Sequence, residues 1–214
     1  MGRHREFDED VVLDAVTTTF WRQGFRGTSI RDLAHETGLA EARLYNAFGD
    51  KRQLFLLALG RYRARGLRFV NQLTQSEDPL GAIHDLVLAI ARHLARQEDF
   101  RGCLITNTMI EMAPHDKEIR EQLKASFEVR ATIFRQALKA AQRQGQLDKR
   151  ADVSALAQYL VQMMEGLRVI AKSDPGEKSL VDGAKFALSL LAASTPRRRK
   201  MKATRAKASN PTKA

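Results

Sequence analysis

Polar side chains able to meet a nucleic acid cluster in one short stretch, GTSIRDLAHETGLAEARLYNAFGDK. The segment Glu41 to Phe48 reads as a short helix with Leu44 and Phe48 on its buried side. Glu41, Arg43, Tyr45 and Asn46 then share the other face. In a major groove, such a face lets arginine pair with guanine and asparagine with adenine. Thr28, Tyr45 and Lys51 are donors of the kind that hold phosphates around it. A second chemical candidate is Cys103. Gly102 before it predicts a turn and then a helix N-terminus, where unpaired amides and the adjacent Arg101 favour an anion. A thiol held there would react with electrophiles or oxidants.

Other chemistries lack their parts. A nucleophilic Cys103 needs a base, and no histidine stands at a helical offset from it. The chain contains no Gly-rich phosphate loop, no HExxH and no GxSxG. Cys103, Met109, Met112 and His115 include no recognised chelating pair, and Pro114 separates Glu111 from His115. No enzyme activity, metal or cofactor is therefore expected.

The elements that position these residues all read as helices. Phe7, Val11, Ala15, Val16 and Phe20 form an apolar stripe, with Gly24 and Gly27 closing that helix. Thr28 and Ser29 are caps for a short helix that buries Ile30, Leu33 and Ala34 and ends at Gly38. Gly38 supplies a tight turn and Leu39 fills the space beside it, which makes 29–48 a helix-turn-helix. Asp50 caps a long helix from Lys51, and Pro79 opens the next. Further helices are predicted from Gly102 to Pro114, over 115–144, from Asp152 to about Ala171 and from about Glu177 to Ala193. The expected fold class is all-α with nine helices.

Two apolar stripes run along each of the last two helices. Leu156, Leu160, Met163 and Leu167 lie on one narrow seam, and Leu180, Ala184, Ala187 and Leu191 on another, with Leu188 on a second stripe. Paired seams at a chain's end predict a symmetric homodimer interface through Leu156, Leu160, Met163, Leu167, Leu180, Ala184, Leu188 and Leu191. The preceding region supplies His93, Met109, Met112, Phe127, Phe134, Tyr159 and Met163 for an effector pocket in the bundle core, with Cys103 as the reactive sensor.

The 214 residues suffice for one or two domains, and 43% hydrophobic with 29% charged residues is a globular composition. One cysteine excludes an intramolecular disulfide. No apolar run is long enough to span a membrane, and the N-terminus lacks the apolar core of a secretory signal, so a cytoplasmic protein is expected. The net charge of +11 is mostly a tail effect, since residues 195–214 hold eight Lys or Arg and no acid. That segment reads as a disordered basic arm for non-specific phosphate contacts. A protein that merely coated nucleic acid through this arm would show no sequence preference.

Phe20, Gly24, Phe25, Thr28, Ser29, Ile30, Asp32, Leu33, Ala34, Gly38, Leu39, Leu44, Tyr45, Phe48, Asp50, Lys51 and Leu54 stand at fixed offsets. In this pattern the chain resembles the TetR/AcrR family of bacterial transcriptional regulators. The resemblance implies a helix-turn-helix DNA-binding domain over 1–50 and a helical ligand-binding and dimerisation domain over 51–194. It also implies a homodimer on double-stranded operator DNA, and repression relieved by a small-molecule or thiol-reactive effector. It places Arg31, Glu41, Ala42 and Arg43 at base edges, and Thr28, Tyr45, Asn46 and Lys51 at phosphates. Glu-Ala-Arg at 41–43 departs from the residues common in the family, so the operator differs with it. The stretches RGCLITNTMIEMAPHD and GLRVIAKS resemble a subgroup whose repressors respond to electrophiles or copper.

Overall fold

The computed structural model describes residues 7–193, all of whose regular elements are helical. The basic arm expected at 195–214 lies outside the described residues. Among the described residues nine α-helices follow in order: α1 (Glu9–Gly27), α2 (Ile30–Thr37), α3 (Glu41–Phe48), α4 (Lys51–Asn71), α5 (Pro79–Ala95), α6 (Leu104–Glu111), α7 (Lys117–Arg143), α8 (Val153–Ile170) and α9 (Glu177–Ala193). Short 3-10 turns extend α4 over Gln72–Gln75 and α8 over Ala171–Ser173.

Most helix starts are written locally. Asp8, Asp78, Asp116 and Asp152 each accept backbone N–H bonds from the first turn that follows. Ser29 with Asp32, and Asp50 with Gln53, form reciprocal capping boxes at α2 and α4. In the first box the Ser29 amide donates to Asp32 at 2.7 Å and holds that carboxyl below its usual range.

Two apolar clusters order the helices. One joins α1–α4 to α6 and the start of α7, through Val16, Phe20, Leu33, Leu44, Phe55, Leu104, Ile105, Ile119 and Leu123. The other fills the bundle of α5, α7, α8 and α9, with Val70 of α4 reaching into it. Thus α4 serves both clusters, and α6 packs against α1 and α4 although 52 residues of chain lie between α4's start and its own. Along α1 the buried positions are Val12, Val16 and Phe20. Val11, expected inside, is 65% exposed, because the buried i, i+4 stripe runs through Val12, Val16 and Phe20, one residue further on. Gly24 does not end α1. It breaks it with φ 75° and ψ 176°, and helical turns resume to Gly27.

Candidate nucleic-acid interface and its supports

The helix-turn-helix is built from two eight-residue helices that cannot be stable alone; a capping box holds α2, and Leu33, Leu44 and Phe48 anchor both in the core. Gly38 closes α2 in the left-handed region (φ 69°, ψ 12°), a conformation that costs a side-chain-bearing residue energy. With Leu44 and Phe48 turned in, α3 presents Glu41, Ala42, Arg43, Tyr45 and Asn46 outward. Arg31 of α2 lies 3.9 Å from Glu41, so two of the expected base-edge residues face each other. The Arg43 guanidinium sits over the Phe7 ring, 5.3 Å from its centre. Tyr45 is 46% exposed, and Ser29 is exposed at the start of α2.

The other expected phosphate donors point elsewhere. Thr28 is 1% exposed, and its hydroxyl donates to the Gly24 carbonyl at 2.7 Å. The Lys51 ammonium donates to the carbonyls of Phe25 (3.0 Å) and Thr28 (2.9 Å) and lies 4.3 Å from the Phe25 ring centre. Thr28 thus closes the α1–α2 junction on itself, and Lys51 ties that junction to α4. The same junction is gripped from the other side. Glu111, at the end of α6, accepts the amides of Phe25 (2.9 Å) and Arg26 (2.7 Å). Nearby, Arg52 of α4 binds Asp116 (3.0 Å) and Glu118 (2.7 Å) at the start of α7. The Trp21 indole donates to the Gly102 carbonyl at 3.2 Å. Sequence reasoning passed over these ties, because their partners lie tens of residues apart.

The residues expected to form one effector pocket are separated. Met109 and Met112 belong to the cluster under the helix-turn-helix, Phe134 and Met163 to the bundle cluster, and Phe127 touches both. His93 is exposed, with its ring nitrogen 3.3 Å from Gln97, and Tyr159 is half-buried outside either cluster. Helical spacing predicts which side chains turn inward but not which core receives them. Cys103 is the N-cap residue of α6, as its Gly102 turn predicts, and is 5% exposed. The Tyr62 phenol lies beside it. Burial first, and that thiol next, push the phenol well above its ordinary pKa. Beside them runs a buried ionic group. Arg130 (2.9 Å) and Arg168 both donate to one oxygen of Glu165, and the Thr106 hydroxyl donates to the other. Its only trace in the sequence is charge placed inside otherwise apolar faces of α7 and α8. Among the described residues, no three His, Cys, Asp or Glu side chains group as a metal site.

The expected dimer residues divide by their burial within the chain. Leu160, Leu180, Ala184, Leu188 and Leu191 are core residues of the chain itself, and Leu156, Met163 and Leu167 pack half-buried against the same core. The bundle takes the first five outright and covers part of the last three. What α8 and α9 turn outward is Gly166, Val169 and Ile170, with Gly183, Phe186 and Leu190. No helix among the described residues is long and apolar enough to cross a membrane.

Comparison with known proteins agrees with this architecture. Residues 12–58 match the family model described as bacterial regulatory proteins, tetR family, and residues 79–194 match a tetracyclin repressor-like C-terminal domain. The HTH-type transcriptional regulator YezE of Bacillus subtilis (strain 168) is 34% identical over 193 residues, covering 89% of this chain and all of YezE. The HTH-type transcriptional repressor ComR of Escherichia coli (strain K12) is 29% identical over 191 residues, covering 88% and 91%. Among solved structures, a cysteine-substituted CifR, a TetR family regulator in complex with 26-base-pair operator DNA, superposes with a TM-score of 0.79 at 26% identity. That match covers 89% of this chain and all of CifR. With an exposed recognition helix on a capped helix-turn-helix, and matches over both halves of the chain, this protein belongs to the TetR family of DNA-binding transcriptional regulators.

Proposed function

We propose that the chain is a repressor that binds a pseudo-palindromic operator as a homodimer in the cytoplasm and leaves it when an effector acts on the helical domain. The observation that carries the reading is the outward face of α3. Five positions, Glu41, Ala42, Arg43, Tyr45 and Asn46, are exposed on a helix that Leu44 and Phe48 anchor in the core. Arg43 and Asn46 supply base-edge donors, Glu41 can accept from cytosine, and Ser29 and Tyr45 stand beside them for phosphates. Thr28 and Lys51 act in this reading as positioning residues, since their polar atoms bind backbone carbonyls. The names of ComR as a repressor and of the operator-bound CifR support the same reading.

The dimer forms through Gly166, Val169, Ile170, Gly183, Phe186 and Leu190. The two glycines let helices approach closely, and the apolar side chains around them gain burial. A two-fold dimer sets two copies of α3 in successive major grooves about 34–36 Å apart. Cys103 makes a thiol-reactive effector the favoured class. It is the chain's single thiol, and it stands at the N-cap position of the helix that carries Glu111. Selection of bound duplexes from a random pool tests the whole reading. It should return two-fold symmetric sites, and sites without symmetry would refute the dimer on its operator.

A further inference from the structure

We propose that Glu111 is the positioning residue through which the effector domain sets the aim of the recognition helix. This rests on the DNA-binding reading above and adds to it a named atom-level link. The segment Gly24–Thr28 is the only covalent path from α1 into the helix-turn-helix, and it leaves helical geometry at Gly24. A broken helix exposes amides and carbonyls that need partners. Here the two sets are claimed by different elements. The amides of Phe25 and Arg26 go to the two oxygens of Glu111 on α6, at 2.9 and 2.7 Å. The carbonyls of Phe25 and Thr28 go to Lys51 on α4, at 3.0 and 2.9 Å. An anion on the amides and a cation on the carbonyls fix the junction more firmly than neutral partners do.

Gly24 makes room for this. A Cβ there would lie 2.8 Å from one oxygen of Glu111, and the φ of 75° disfavours any side chain. The absence of a side chain at 24 therefore serves the turn and the carboxylate's approach together. Glu111 is also well placed to report on the rest of the molecule. Its helix is anchored to α8 by the Thr106–Glu165 hydrogen bond and to the following turn by Asn107 with Lys172, at 3.1 Å. A displacement of α6 against α1 cannot keep both amide bonds, because both oxygens are engaged.

The test uses the full chain as wild type, Glu111→Gln and Glu111→Ala, with amide exchange, operator affinity, random-DNA affinity and melting measured on each. Alanine removes both acceptors, and exchange at Phe25 and Arg26 should quicken by about tenfold or more. Operator affinity should fall by about tenfold, while random-DNA affinity, carried by phosphate contacts, stays near wild type. Glutamine keeps one acceptor oxygen and should fall between. A purely structural role would lower melting and both affinities together. The proposal is overturned if Glu111→Ala leaves the ratio of operator to random-DNA affinity within about twofold of wild type, or leaves both amides as protected as before. The exchange arm needs no DNA. A wild type that selected no operator would sink the DNA-binding reading, while the junction amides would still decide whether Glu111 holds them.

Discussion

Phe186 and Leu188 stand two residues apart on α9 and face opposite ways, Phe186 72% exposed and Leu188 5% exposed. The first is available to a second chain and the second is part of the chain's own core. Phe186→Asp is therefore expected to give a folded monomer with near wild-type melting and without tight operator binding. Leu188→Asp should instead cost about 3 kcal/mol or more and prevent folding, because it buries an unpaired charge. Sedimentation at micromolar concentration beside thermal melts separates the two. A Phe186→Asp dimer would place the interface elsewhere.

Arg43 is expected to carry base preference. Arg43→Ala should relax the consensus at one base pair in each half-site and cost roughly 1–3 kcal/mol against the preferred base. Repeating the selection with the variant shows this as one degenerate column per half-site. An unchanged consensus would assign readout to other residues of α3.

Lys51 is expected to act on stability more than on phosphates. Lys51→Met should cost about 1–3 kcal/mol, the range for hydrogen bonds from a charged donor, since it leaves the carbonyls of Phe25 and Thr28 without their partner. The slope of log affinity against log salt should stay as in wild type. A slope reduced by about one would show that the ammonium meets a phosphate in the complex.

Acid should loosen the joint between α1 and α4. Arg61 first, by hydrogen bond, and Arg65 beside it hold the Asp14 carboxyl below its ordinary range. A carboxyl depressed in the folded state contributes stability above its unfolded pKa of about 3.9, and that contribution disappears as pH falls through the folded value. Asp116, held down by the Ile119 amide and by Arg52, behaves alike. Wild type should thus lose melting temperature below about pH 4 more steeply than Asp14→Asn. Parallel profiles for the two proteins would deny the pair a role.

Cys103 should be a slow but consequential thiol. At 5% exposure it should react with a small maleimide only as the segment before α6 opens, and far faster in urea. Cys103→Ser should bind the operator yet no longer release it on treatment with the reagent. A wild type that keeps its DNA after complete alkylation would make the cysteine structural and leave release to a non-covalent ligand.

Much of this molecule is local and was legible in the sequence. Asp50 with Gln53, Asp78 before Pro79, Asp116, Asp152 and the glycine at 38 act across about three or four residues, so helix starts and the helix-turn-helix turn follow from the chain alone. The exposure of Arg43 and Asn46 follows likewise from Leu44 and Phe48 on a 3.6-residue period. The choice between two apolar stripes on α8 and α9 does not. Period says that Leu160 and Leu188 lie on apolar faces, but only the packing of α5 and α7 against them decides that those faces are core and that Phe186 is left outside. The roles of Thr28, Lys51 and Glu111 were hidden for the same reason. A carboxylate that caps an amide 86 residues away leaves no periodic mark, because its partner is chosen by the approach of α6 to α1 and not by any spacing along the chain.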